Sequence, residues 1–241
     1  MLQKHEFAIY VRQNFVAHQL VCIADSQLVH RVTHVLRLKT DDQLIFFNEK
    51  THSLVTIRAI TRKTIEVFVE KIDTNEVCAP KLVMQLAVLR RDTLQEAVSS
   101  LTTLGVNEIE LFTCEKMQRT WGGQEEYDRL YRCMIAAAEQ SKCFALPKLH
   151  KPVELEQIFV EDGSEFYIMC DVHGCELIPA VLQAVQENKT IKILVGPEGD
   201  LTEPEKNIVV QHAYRKWRLT KTVLRSEQAA YLAAGVVRAS I

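Results

Sequence analysis

Two segments of the sequence combine residue types and spacings that could do chemistry. The first is Gly196-Pro197-Glu198-Gly199, directly after the apolar, β-branched run Ile191–Val195. Its glycines allow a ligand to approach the backbone and permit positive φ, and its proline stiffens the turn. Thr202, with Glu205 three residues on, has the spacing of a capping box and marks a helix start. Such a turn is either a tight strand-to-helix connection or a backbone surface for a ligand. The second segment is Leu219-Thr220-Lys221-Thr222-Val223-Leu224-Arg225-Ser226-Glu227. From Arg215 to Arg225 the chain carries Arg215, Lys216, Arg218, Lys221 and Arg225 with no acid between them. This is a solvated basic loop or an electrostatic site, and Arg225 and Glu227 could pair at the start of the next helix. Other chemistries leave no trace. No GxGxxG follows a strand, and neither a P-loop nor a GxSxG elbow exists. The seven cysteines, Cys22, Cys78, Cys114, Cys133, Cys143, Cys170 and Cys175, include no CxxC, so no metal site is expected.

The elements that must position these segments follow from periodicity. After Leu82–Leu89, an apolar run that reads as a buried strand, Asp92 and Gln95 have the spacing of a capped helix start. Leu94, Ala97, Val98, Leu101 and Leu104 share one helical face, and Gly105 closes the helix. Val106–Phe112 returns to strand. Helices over Glu125–Gln140, Ile178–Asn188, Glu203–His212 and Gln228–Ala239 alternate with strands over Phe166–Cys170 and Ile191–Val195. That alternation predicts an α/β domain with a mostly parallel sheet, in which ligands bind beyond the carboxyl ends of the strands. Residues 7–72 differ. Leu44–Phe47, Ser53–Ile57 and the period-two run Thr64–Val69 are short strands of a small barrel, with Asp25 placed to cap a short helix. Residues 73–80 read as a linker, so the expected domains are 1–72 and 73–241.

Net charge is −2, divided unevenly: ten Lys/Arg against seven Asp/Glu over residues 1–72, and nineteen against twenty-four over the rest. Five of the eight histidines also fall in the first part. Met1–Tyr10 has no long apolar run, and no signal peptide is expected. Neither is a membrane span. With an odd number of cysteines, a reducing cytoplasm fits best.

Taken together, the motifs resemble the RsmE family of the SPOUT class, enzymes that methylate N3 of a uridine in small-subunit (16S) ribosomal RNA. Leu194–Gly199 and Leu219–Glu227 carry the resemblance. Further blocks are His34-Val35-Leu36-Arg37-Leu38, Leu104-Gly105-Val106 with Glu108-Ile109, and Ala137–Ser141 followed by Pro147, so it spans the chain. It implies a PUA-like barrel followed by a deep trefoil knot, a homodimer, and S-adenosylmethionine as cofactor. The cofactor would lie against Cys170, Leu194, Val195, Gly196, Pro197, Glu198, Gly199, Leu219, Thr220, Val223 and Leu224. Arg225 would stabilise negative charge on the uracil, with Glu227 orienting it, and His173 is a candidate base. Arg12, Arg31, His34, Arg37 and Lys39 would hold RNA phosphates.

The chain also departs from the family. Asp200 stands where the family usually has a second glycine, and Thr220-Lys221-Thr222 where it has Gly-Pro-Arg. Ser226-Glu227-Gln228 replaces Thr-Glu-Thr, and Lys142-Cys143-Phe144 replaces Gly-Arg-Asn. Ala8 and Thr103 replace an arginine and an acid. Two other readings therefore stay open. One is a non-catalytic RNA-binding or ribosome-assembly protein that retains the knotted fold. The other is a small-molecule enzyme on an ordinary doubly wound sheet.

Overall fold

The computed structural model describes residues 7–159 and 165–241, and the chain divides into two compact units. One comprises Met1–Glu76 together with Ala138–Ala145. The other comprises Val77–Ala137 together with Leu146–Ile241. The division thus falls later than residue 72, because the last strand of the first sheet runs through the polar residues read as the start of a linker, as far as Thr74.

The first unit is built on β1 (Phe7–Tyr10), β2 (Leu20–Ile23), β3 (Gln43–Phe47), β4 (Thr51–Ile60) and β5 (Ile65–Thr74). In β5, Ile65, Val67 and Val69 are buried while Glu66, Phe68 and Glu70 are half-exposed, as period-two alternation requires. The sheet order is β1-β3-β4-β5-β2, with β1 parallel to β3 and the other pairs antiparallel. β1 and β2 are its two ends, so among the described residues this is an open mixed sheet and not the closed barrel that short strands at close spacing suggest. Between β2 and β3, α1 (Ser26–His30) is capped by Asp25, whose carboxylate accepts the Leu28 N–H at 2.9 Å. It runs on into one π-helical turn, Arg31–Val35.

Residues 138–145 join this unit through specific bonds. Glu139 accepts the Tyr10 N–H at 2.9 Å and binds both terminal guanidinium nitrogens of Arg31, Nη1 at 2.9 Å. The Phe144 ring lies 4.9 Å from that of Phe47, and its carbonyl accepts from Asn75. The block around Glu139 is therefore an internal fastening, and Arg31, expected among the phosphate-binding cations, is already committed to a carboxylate. Glu139→Ala leaves the Tyr10 N–H and the Arg31 guanidinium without their acceptor. It is expected to lower stability by about 1–3 kcal/mol in chemical denaturation.

The second unit carries a parallel sheet in the order β12-β10-β11-β6-β7-β8. Its strands are β6 (Leu82–Ala87), β7 (Glu108–Thr113), β8 (Lys148–Leu149), β10 (Glu165–Cys175), β11 (Thr190–Val195) and β12 (Arg215–Trp217). A short β9 (Val153–Glu154) pairs with β7. The helices are α2 (Arg91–Thr103), α3 (Gly123–Ser141), whose last turn enters the first unit, α4 (Ile178–Gln186), α5 (Glu203–Gln211) and α6 (Ser226–Arg238). On α6, Ala229, Ala230, Ala233, Ala234 and Val237 are buried, and the helix packs on α2, β6 and β11.

The helix ends show where sequence patterns hold. Gly105 closes α2 with φ 69° in a Schellman motif: its N–H reaches the Thr102 carbonyl and the Val106 N–H that of Leu101. Thr202 and Glu205 form the expected capping box on α5. Asp92, however, is not an N-cap. The helix begins two residues earlier, Arg90 is the cap residue, and its N–H is taken by the Glu198 carboxylate at 3.1 Å. Asp92 instead sits in the first turn, where a negative charge favours the helix dipole.

Candidate active site

Three neighbouring strands stop at one level. β10 and β11 pair as far as Met169 and Leu194, and Cys170 pairs with Trp217 on β12. Beyond them lies a cavity of about 420 Å³, within the range of small-molecule sites. Its floor is Cys170, Val195 and Trp217, and its walls are the turn after β11 and the loop from Arg218 to Arg225.

Of the residues singled out from the sequence, Cys170, Val195, Gly196, Pro197, Glu198, Leu219, Thr220, Val223, Leu224 and Arg225 line this cavity. Three others do not. Leu194 is fully buried in the sheet. Gly199 lies against Lys116, where an added Cβ would come within 3.4 Å. Glu227 is buried on α6 and forms no ion pair with Arg225 among the described residues; its charge and that of Arg225 both act on Tyr231. Burial raises the Tyr231 phenol, and the charges of Glu96 and Glu227 raise it further. His173 is also outside the cavity lining; its backbone N–H donates to Asp171 at 2.7 Å.

The turn after β11 uses its residues differently from the sequence reading. Neither Gly196 nor Gly199 has positive φ. The left-handed residue is Asp200, at φ 61°, and its N–H closes the turn on the Pro197 carbonyl at 3.0 Å. An aspartate tolerates this conformation better than most residues with a Cβ, and here its Oδ1 accepts the Leu201 N–H at 2.8 Å. Gly196 sits in a tight space, where a Cβ would lie 3.3 Å from the Leu201 side chain. In the opposite loop, Thr220 donates its hydroxyl to the Thr222 carbonyl at 2.6 Å, so the departure from glycine closes the loop on itself. Gln228 accepts the Arg225 N–H at 3.1 Å and so caps α6.

Sequence reasoning missed Asp171 and Trp217, both in the cavity lining, and named Arg218, which also lines it, only within the basic stretch. Asp171 lies in a bulge of β10, where Cys170 and Cys175 both pair with Trp217. A Cβ on Gly174 would sit 2.6 Å from the Lys216 carbonyl, so the bulge admits only glycine. Burial alone would raise the Asp171 carboxyl. The His173 N–H and the charges of Lys206 and Lys216 outweigh it and hold the group below its usual range. Burial pushes the Cys170 thiol up to about 12, so it is a neutral wall residue and not a nucleophile. The cavity therefore offers apolar surface, backbone polar groups, the carboxylates of Asp171, Glu198 and Asp200, and two arginines, Arg218 and Arg225.

An ion pair ties the loop between β7 and α3 to the first turn of α3. Arg119 binds Glu126 and donates to the Leu89 carbonyl at 2.7 Å, and Gly122 donates its N–H to Glu126 at 2.7 Å. Burial opposes ionisation of Glu126, but Arg119, the Gly122 N–H and Arg91 win, and the carboxyl lies below its ordinary 4.5. A depressed carboxylate contributes stability above its unfolded pKa, and that stability is lost as pH falls through the folded value. Wild-type protein is expected to lose stability below about pH 4.5. Glu126→Gln should be less stable at neutral pH and flatten that acid limb in pH-resolved melting curves.

A family model described as an RNA methyltransferase domain matches residues 77–238. The chain belongs to that family. It is similar to the ribosomal RNA small subunit methyltransferase E of Rickettsia conorii, 27% identical over 95% of this chain and 94% of that protein. It is also similar to the ribosomal RNA small subunit methyltransferase E 1 of Borreliella burgdorferi, 24% identical over 91% and 92%. Among solved structures, the ribosomal RNA small subunit methyltransferase E of Neisseria gonorrhoeae, bound to S-adenosyl methionine, superposes with a TM-score of 0.85. It covers 98% of both chains at 19% identity. The chain, a member of the RNA methyltransferase domain family, has a parallel α/β domain with a cavity at the carboxyl end of the sheet, where the motif spacing predicts a ligand site.

Of the expected RNA contacts, Arg12, His34, Arg37 and Lys39 are exposed on the first unit. The His34 ring stacks on His30 at 4.8 Å and its Nδ1 hydrogen-bonds with the Thr33 hydroxyl. No helix among the described residues is long and apolar enough to cross a membrane.

Proposed function

We propose that the chain transfers the methyl group of S-adenosylmethionine to N3 of a uridine in small-subunit (16S) ribosomal RNA. The observation that carries this reading is the cavity at the ends of β10, β11 and β12 in a chain of the RNA methyltransferase domain family. Its volume and mixed lining fit S-adenosylmethionine. Apolar walls suit the adenine and the thioether side, and backbone groups of the two loops can bond the ring edge. When bound, the cofactor supplies a methyl group already activated on a sulfonium. The chain's own residues then have to bind, orient and exclude water, which lowers the barrier by positioning. Arg225, exposed at the lip of the cavity, would sit beside a uracil oxygen and favour loss of the N3 proton.

The same reading includes a PUA-like first unit that holds phosphates through Arg12, Arg37 and Lys39, with His34 beside them. It also includes a trefoil knot made by the loops after β11 and β12, and action in the cytoplasm on the small ribosomal subunit. At the departures Asp200 and Thr220, side-chain bonds close the loops that glycines would otherwise shape, so these substitutions are compatible with a formed cavity. The test is calorimetric titration with S-adenosylmethionine, followed by transfer of labelled methyl to a small-subunit RNA fragment. Saturable binding and label on uridine N3 are expected. Binding without transfer to any fragment would assign the chain to the non-catalytic reading.

A homodimer is part of the proposal. Val223, Ile178, Leu182 and Leu232 are exposed on the second unit at 80%, 46%, 38% and 37%. A partner copy would cover some of these side chains. Sedimentation is expected to give a dimer of two 27.6 kDa protomers, and a monomer at micromolar concentration would exclude a site shared between copies.

A further inference from the structure

Lys206 occupies a position that costs stability twice. It lies in the first turn of α5, where the helix dipole disfavours a cation, and its side chain is 5% exposed. What offsets these costs is a set of carboxylates. Nζ is 2.6 Å from Asp200 Oδ2, 3.5 Å from Asp171 Oδ2 and 3.9 Å from the exposed Glu203. Asp171 Oδ2 is itself buried, and the cations facing it among the described residues are Lys206 and, at 3.7 Å, Lys216. Asp171 and Asp200 come from different walls of the cavity, one from the bulge of β10 and the other from the turn after β11. Asp200 also holds the left-handed backbone on which that turn depends.

We propose that Lys206 is the positioning residue of the cofactor cavity, a buried cation that ties the turn Gly196–Asp200 to the end of β10 and holds the gap between them open to the width the cofactor needs. Lys206 does not line the cavity and touches no ligand; it acts through Asp171 and Asp200. Its ammonium is held in the charged form: burial lowers its pKa, but Asp200 and Asp171 raise it more. The arrangement explains how an aspartate can stand at a left-handed position. Glycine would adopt that conformation with no side chain to anchor, whereas the Asp200 carboxylate accepts the Leu201 N–H through Oδ1 and binds Lys206 through Oδ2.

The inference rests on reading the cavity as the S-adenosylmethionine site, and the test separates the two. Three full-length variants, Lys206→Met, Asp200→Gly and the double variant, are compared with wild type. The readouts are affinity for S-adenosylmethionine, single-turnover rate at saturating cofactor, and hydrogen exchange of the Gly199–Leu201 amides. If the untied turn keeps its competent conformation about one-tenth of the time, Kd for S-adenosylmethionine rises about tenfold in Lys206→Met. The rate at saturation changes much less, and the amides exchange faster. Adding Asp200→Gly restores most of the affinity, because the turn no longer needs the cation; a merely structural lysine would show no such rescue. Folded Lys206→Met protein with wild-type affinity and wild-type exchange would overturn the proposal, as would a double variant no better than Lys206→Met. If wild-type protein takes no S-adenosylmethionine, the functional reading fails. The exchange arm still decides whether Lys206 holds the turn: unchanged exchange in Lys206→Met overturns it, and faster exchange reversed in the double variant supports it.

Discussion

Arg225→Ala protein is expected to methylate its RNA about 10²–10³-fold more slowly in single-turnover assays, equivalent to roughly 2.7–4 kcal/mol of transition-state stabilisation. Arg225 is exposed at the cavity lip, makes no ion pair with Glu227 among the described residues, and contributes to the fold through its backbone, whose N–H is capped by Gln228. Replacing its side chain therefore has little to destabilise. Melting temperature and affinity for S-adenosylmethionine are expected to stay near wild type while the rate falls. Glu227→Ala is predicted to behave in the opposite way, with lower stability and a rate per folded molecule that survives, since Glu227 is buried away from the cavity. An undiminished rate in Arg225→Ala would leave the mechanism without its central residue.

The second large effect is on RNA binding. If six to ten phosphates are neutralised, affinity for a small-subunit RNA fragment falls by about 10³–10⁵ between roughly 50 and 200 mM salt. Arg12, Arg37 and Lys39 are exposed on the first unit, and substituting all three with alanine removes three such contacts. The slope of log affinity against log salt is then expected to become shallower by about 2, at roughly 0.7 per contact on a single strand. S-adenosylmethionine affinity should be untouched. Arg31→Ala serves as the contrast, because its guanidinium already binds Glu139; it is expected to cost stability rather than change the slope. Affinity insensitive to salt would remove the first unit from RNA binding.

The parallel sheet and its ligand end were legible because periodicity and caps are local signals. Leu94 to Gly105, Thr202 with Glu205, and the run Ile191–Val195 each state an element within a few residues. The cavity was legible for the same reason, as the two loops that follow strand ends. What was illegible depends on partners distant in sequence. Nothing beside Asp171 or Lys206 in the chain announces that they meet, and a buried lysine in a first helical turn contradicts the local preference for acids. Asp92 was a sound cap by type, yet α2 starts at Arg91 because Glu198 from another loop takes the Arg90 N–H. In the turn after β11, sequence logic gave positive φ to the glycines, while the backbone places it on Asp200, with Gly196 in a tight space. Glu227 looked like the partner of Arg225 from its spacing, but Arg225 precedes α6 in extended conformation with its side chain exposed, while Glu227 is buried in the first turn of the helix.

The first unit is made from two pieces of chain, and this bears on how it comes into being. β1 to β5 are synthesised well before Glu139 and Phe144, the residues that complete them. At about 5–20 residues per second, the growing chain spends on the order of several seconds with Arg31 and the Tyr10 N–H lacking their acceptor. The unit thus reaches its final form only after much of the second unit's first half has also emerged. For the same reason it is not a detachable cassette. A fusion that grafts the N-terminal strands onto another enzyme would have to carry a returning segment equivalent to residues 138–145, so recombination at the chain's apparent linker would be expected to yield a partner with an unfinished module.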